Sequence, residues 1–215
     1  IAEKAMRDNG AIPAEKGYPS GIKGVMDFPG SICASVNDEV IHGIPSKKVV
    51  LKDGDIVSVD LVAYKNGFNG DCCRTYLVGN VDEKKRKLVE VTKQAFFEGI
   101  KYAKKGYRLG DICHAIGEYV ESNGYSVVRD LVGHGIGTHL HEDPQIPNFK
   151  QRRKGMKLRP GMTLAIEPMV NEGSYDVVWL DDDWTVVTED GSLAAHYENT
   201  IVITEDGCEI LTLSE

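Results

Sequence analysis

An α+β architecture is what this sequence predicts, and three observations predict it. Strand-rich stretches, residues 31–78 and 127–212, flank a central block with helical spacing. The dipeptide Asn66-Gly67 joins two alternating runs and is the strongest hairpin signal in the chain. Each strand-rich stretch also carries two acids in or beside apolar strand patterns, Asp60 with Asp71 and Glu167 with Glu198. Strands, then helices, then strands again fit α+β rather than a βα alternation. The paired acids hint at a pseudo-symmetric site between two halves, although residue identity between them is too low to establish a repeat.

The elements follow in order. IAEKAMRDNG reads as the end of an amphipathic helix, with Ile1, Ala5 and Met6 on one face and Gly10 as its stop. Residues 11–30 are glycine-rich and irregular. Strands are expected at about 31–36, 40–42, 55–64 and 68–78. From Asp82 to Lys105 the apolar residues Leu88, Val91, Ala95, Phe96, Ile100 and Ala103 recur at helical spacing, closed by Gly106. A second helix is expected from Gly110 to Asn123, with Gly124 as its C-cap. Strand signals return at 127–135, 139–141, 163–171, 175–179, 184–188, 196–204 and 208–212. No linker or low-complexity segment interrupts the chain, so residues 1–215 are read as one domain.

Composition narrows the function classes. With 41% hydrophobic and 27% charged residues the chain is globular rather than disordered or fibrous. A formal net charge of −8 argues against nucleic-acid and anionic-membrane partners. The basic run Lys84–Lys87 lies among acids and reads as a solvated helix face. No apolar stretch approaches the roughly 18 residues needed to span a bilayer, and no signal peptide is visible. Cys33, Cys72, Cys73, Cys113 and Cys208 form neither an even set nor a CxxC pattern, so reduced thiols in a cytoplasmic protein are expected.

The hairpin carries the chemistry. If Asn66-Gly67 is a two-residue turn, Lys65 faces Phe68, Val62 faces Asp71 and Asp60 faces Cys73. Asp60 and Asp71 then share one face of a strand pair expected to be buried, on a diagonal of about 7–8 Å. Two such carboxylates repel unless something positive lies between them. Two other readings stand: one carboxyl is protonated, or Arg74 pairs with them, though Arg74 has the wrong parity. LVGHGIGTHLHEDPQ adds His134, His139 and His141, TLAIEPMV adds Glu167, and AAHYENTIVIT adds Glu198. Four carboxylates and one glycine-flanked imidazole suit two hard or borderline divalent ions better than a structural zinc. Ions roughly 3.5–4 Å apart can share a water and polarise a carbonyl, the two-metal route to hydrolysis.

The blocks IHGIP, DGDIVSVDL, GFNGDCCRTYLVG, GHGIGTHLHEDPQIPNF, LAIEPMV and YENTIVIT, in this order and spanning nearly the whole chain, resemble the signature of type I methionine aminopeptidases. The resemblance implies the pita-bread fold, a pseudo-two-fold α+β domain around a dinuclear centre, with an N-terminal helical stretch preceding the point where this chain begins. It implies Asp60, Asp71, His134, Glu167 and Glu198 as ligands of two divalent ions (cobalt, manganese, iron or zinc), with Asp71 and Glu198 bridging. It implies His42 and His141 as non-ligand catalytic histidines and Glu167 as general base. Tyr18, Phe28, Cys33 and Trp184 would wall the methionine pocket, together with His42 and His141 as substrate contacts. The implied reaction removes the initiator methionine of nascent chains when the next residue is small, which brings the ribosome near only through the substrate. A monomer is expected. His139 matches no family role and reads as solvent-exposed; Cys72 and Cys73 lie beside a ligand but have no counterpart in the family's set. The segment YPSGIKGVMDFP is longer than the family's usual turn, and Glu15 stands where an apolar residue is expected. A proline-directed peptidase of the same fold and a non-catalytic binding module are the competing readings.

Overall fold

In the computed structural model, which describes residues 1–213, the first half runs through α1 (Ala2–Asp8), β1 (Ile12–Pro13), β2 (Cys33–Val36), β3 (Glu39–Ile41), β4 (Ile56–Lys65) and β5 (Phe68–Leu77). Two helices follow, α2 (Glu83–Ile100) and α3 (Leu109–Ser122). The second half holds β6 (Ser126–Val127), β7 (Gly133–Gly135), β8 (Glu142–Ile146), β9 (Thr163–Ile166) and β10 (Met169–Asn171). It ends with β11 (Val177–Trp179), β12 (Val186–Thr188), β13 (Ala194–His196), β14 (Asn199–Ile203) and β15 (Cys208–Ile210).

The β4–β5 hairpin has the expected register throughout: Lys65 pairs Phe68, Val62 pairs Asp71 and Asp60 pairs Cys73. Asn66 and Gly67 both take positive φ, 52° and 89°, the turn whose twist matches that of the flanking strands. Val59 and Leu61, which flank Asp60 along β4, are half-buried on the face opposite the cavity that Asp60 and Val62 line.

Three expected strands are divided. Residues 163–171 break after Ile166, and 196–204 gives way to β13 and β14 with Tyr197-Glu198 between them. Pro168 has no N–H to continue a ladder, which accounts for the first break. β9 pairs β14 within the sheet β15-β14-β9-β7-β8, whereas β10 pairs β13 within β13-β10-β6. The 127–135 run likewise splits into β6 and β7, which join those two different sheets. Residues 139–141 are not a strand. Glu142 accepts from the His139 N–H at 2.8 Å and the Thr138 hydroxyl at 3.3 Å, folding the segment into a turn ahead of β8.

The helices cover one side of the sheets. α2 is capped by Asp82, which accepts from the Lys85 N–H at 2.8 Å, and it ends at Ile100 in tight turns rather than running to Lys105. Phe96, Ile112 and Ile116 are fully buried against Leu164, Ile166 and Ile201; each such side chain contributes about 1.5–3 kcal/mol. In α1 only Met6 is buried, while Ile1 and Ala5 are exposed.

Candidate active site and metal centre

One cavity of ≈ 270 Å³ is lined by all the residues singled out in the sequence for catalysis, metal ligation or substrate contact: Tyr18, Phe28, Cys33, His42, Asp60, Asp71, His134, His141, Glu167, Trp184 and Glu198. Strand parity turns Asp60 and Asp71 into it from the hairpin. Glu167 and Glu198 reach it from the two strand breaks. Neighbouring backbone ties the halves together: Glu198 N–H donates to Cys73 O at 3.0 Å, and Asp71 N–H donates to the Thr200 hydroxyl at 2.9 Å. Arg74 faces away from the aspartates, as its parity requires. It donates to the Glu198 carbonyl and, at 2.6 Å, to Asn199 Oδ1, and stacks over Tyr197 at 4.4 Å.

His134 sits on β7 between β8 and β9. Its glycine neighbours make this close approach possible: a Cβ on Gly133 would lie 2.5 Å from Ala165 O, and one on Gly135 2.2 Å from Asp143 O. His134 Nδ1 lies 2.8 Å from Gly135 O. A carbonyl only accepts, so the proton is on Nδ1 and Nε2 presents a lone pair. That lone pair faces Asp71 Oδ2 at 3.8 Å and Glu167 Oε1 at 3.5 Å. Asp60 Oδ1, Asp71 Oδ1 and Glu198 Oε1 are buried without a hydrogen-bond partner among the described residues. Burial pushes Asp60 up to about 7 and raises Asp71, Glu167 and Glu198 well above the carboxylate range, with mutual repulsion adding to the last three. So many converging acceptors are satisfied by cations, and the donor set fits divalent ones.

Two neutral histidines flank this centre. Burial lowers both His42 and His141 to about 4. The Tyr18 hydroxyl lies 2.7 Å from His141 Nδ1, and the His141 ring packs edge-on to His134 at 4.4 Å. His42 takes φ 57°, a strained conformation that persists where surrounding structure fixes it. Phe28 and Trp184 meet edge to face at 5.2 Å, and the Trp184 indole donates to Met26 O at 2.8 Å. Residues 19–27 project outward from a closed neck, where Gly17 N–H bonds Phe28 O and Phe28 N–H bonds Tyr18 O. The longer segment therefore leaves the Tyr18–Phe28 wall intact. His139 is exposed, as expected.

His196 was not legible in the sequence. It is buried with neither ring nitrogen hydrogen-bonded among the described residues, its Nε2 3.7 Å from Glu167 Oε2. Its nearness to Glu198 along the chain is the only signal, and the strand break between them hides which way it points.

This constellation defines the class, a metallopeptidase. The chain belongs to metallopeptidase family M24, whose model matches residues 1–205, and within it to the methionine aminopeptidases. It is 56% identical to the methionine aminopeptidase of Clostridium acetobutylicum, covering 100% of this chain and 83% of that one. Identity to the Escherichia coli K12 methionine aminopeptidase is 43%, over 95% and 78%. The fold matches the crystal structure of the Thermotoga maritima methionine aminopeptidase with a TM-score of 0.93 at 51% identity, covering 98% and 82%. The prolidase of Pyrococcus furiosus shares the fold more distantly, with a TM-score of 0.66 at 27% identity, and 86% of this chain covers 49% of it.

Proposed function

We propose that this chain is one catalytic domain that removes the N-terminal methionine from nascent polypeptides whose second residue is small, using two divalent ions. The observation that carries the reading is the His134 lone pair facing Asp71 and Glu167 amid buried carboxylate oxygens without partners. The high identity to methionine aminopeptidases supports the substrate.

Asp60, Asp71, His134, Glu167 and Glu198 would hold the ions, which when bound supply Lewis-acid polarisation and neutralise charge. Any of cobalt, manganese, iron or zinc is compatible with this donor set. Glu167 takes the proton from the attacking water, a role suited to a carboxylate on the cavity wall. His141 donates from Nε2 to the carbonyl oxygen as negative charge develops, a role that requires the tautomer in which Nδ1 accepts from the Tyr18 hydroxyl. His42 contacts the peptide nitrogen of the scissile bond. Tyr18, Phe28, Cys33 and Trp184 enclose the methionine side chain, whose sulfur packs well against aromatic rings. The working unit is a monomer in the cytoplasm. Among the described residues no helix is long and apolar enough to cross a membrane.

The test is hydrolysis of Met-Ala-Ser and of an Ala-Pro peptide by metal-depleted protein, with Co²⁺ or Mn²⁺ added back. Metal-dependent release of methionine from the first alone is expected. Cleavage of Ala-Pro instead would make this a proline-directed peptidase, and no cleavage of either a binding module.

A further inference from the structure

Glu15 has no part in the chemistry described above, yet it lines the same cavity. It is only 8% exposed, its Oε1 accepts from the Cys33 thiol at 3.4 Å, and its Oε2 has no partner among the described residues. Register explains the placement. Cys33 on β2 lies directly opposite Asp60 on β4. Pro13 pairs Ala63 at the far end of β4, and Ala14 N–H bonds Val62 O at 2.9 Å, which brings Glu15 back toward Asp60. One ligand atom from each of Glu15, Cys33 and Asp60 lies within 4.8 Å of the other two. Buried carboxylates held this close are costly unless a cation lies between them.

We propose that Glu15, Cys33 and Asp60 form a further cation site for a thiophilic divalent ion of the zinc class, sharing Asp60 with the catalytic pair. The inference rests on the aminopeptidase reading in that one respect. Two carboxylates and a thiolate leave a fourth position for water, and the sulfur selects borderline ions such as Zn²⁺ or Co²⁺ over Mn²⁺. Uptake releases the Cys33 proton, together with that of Glu15 where its carboxyl is protonated, to solvent. A bound ion would share the Asp60 charge with the catalytic pair and occupy the wall that Cys33 forms with Phe28 and Trp184, so excess Zn²⁺ inhibits where excess Mn²⁺ does not. Asp60, Cys73 and His196 also cluster within 4.8 Å. Cys73 and His196, however, are buried and do not line the cavity, which leaves that group without an entry path.

The experiment titrates the metal-depleted full chain with Co²⁺, counting bound ions by native mass spectrometry and recording thiolate-to-cobalt charge-transfer absorption. The wild-type chain is expected to bind one ion more than Glu15→Gln or Cys33→Ser, and to show a charge-transfer band that both variants lose and Cys73→Ser keeps. Equal ion counts in wild type and both variants, or a band that disappears with Cys73→Ser instead, would overturn the site while leaving the catalytic pair standing. A wild-type chain that binds no Co²⁺ would overturn the aminopeptidase reading together with it.

Discussion

The two halves of the molecule deliver carboxylates to one cavity by different means. In the first half Asp60 and Asp71 ride on an unbroken hairpin of two ten-residue strands, and the alternation of side chains alone aims both inward. In the second half Glu167 and Glu198 occupy breaks in strands that pair on either side of them, Ile166 with Asn199 and Met169 with His196. A regular ladder places side chains at fixed intervals, whereas a break lets a chain change sheets and turn a carboxylate out at the junction. The difference teaches that pseudo-symmetry of function does not require the same local structure in each half.

Replacing one acid from each half tests whether they serve one centre. Glu167→Ala is expected to lower kcat/KM by roughly 10²–10⁴-fold or more, the range for losing a general base. Asp71→Ala should match it in steady-state assays, despite its different setting. If one half could be altered without loss, the shared centre would be wrong.

Metal removal should expose the cost of the first half's buried carboxylates as a pH effect. Asp60 and Glu15 are raised to about 7 and about 9, so their contribution to stability is present at low pH and lost as pH rises toward those values. Burial leads in both shifts, with repulsion from Asp60 and Asp71 adding for Glu15. His42 and His141, lowered from 6.5 to about 4 by burial, act oppositely, but only as pH falls from 6.5 toward 4. The metal-free chain should therefore melt at a lower temperature at pH 9 than at pH 7, and divalent ions should remove that slope. Thermal unfolding with and without Co²⁺ reads this directly.

The seam between halves offers a smaller effect. Arg74→Ala removes donors to the Glu198 carbonyl and Asn199, and should cost roughly 1.5–3 kcal/mol in urea unfolding, the value of hydrogen bonds from a charged group. Smallest of all, Gly67→Ala forces a left-handed conformation on a residue with open space around it, for about 1–2 kcal/mol. Its kcat should not change, since Gly67 does not line the cavity.

How much of this was legible in the sequence follows the same division. Asn66-Gly67 fixes the register of β4 and β5, so Asp60 facing Cys73 and Asp71 facing Val62 could be read from turn chemistry alone. The site residues of the second half could be named, but their local structure could not. Apolar runs such as TLAIEPMV look continuous, and only Pro168 signals the interruption. YENTIVIT carries no such signal, because the break at Tyr197-Glu198 arises from pairing with two different sheets. His196 was missed for that reason. Glu15 stood out as a polar residue in an apolar place, but only the fold brings β1 and β2 to the two ends of one edge of β4 and so sets it beside Cys33 and Asp60.

The most direct measurement is a Mn²⁺ titration of metal-depleted protein, following bound ions and methionine release from Met-Ala-Ser together, for the wild type and for Glu198→Ala. Two ions bound as activity appears, with both lost in the variant, is the predicted result. Methionine release without metal, or undiminished ion binding once Glu198 is gone, would contradict a centre built jointly by the two halves.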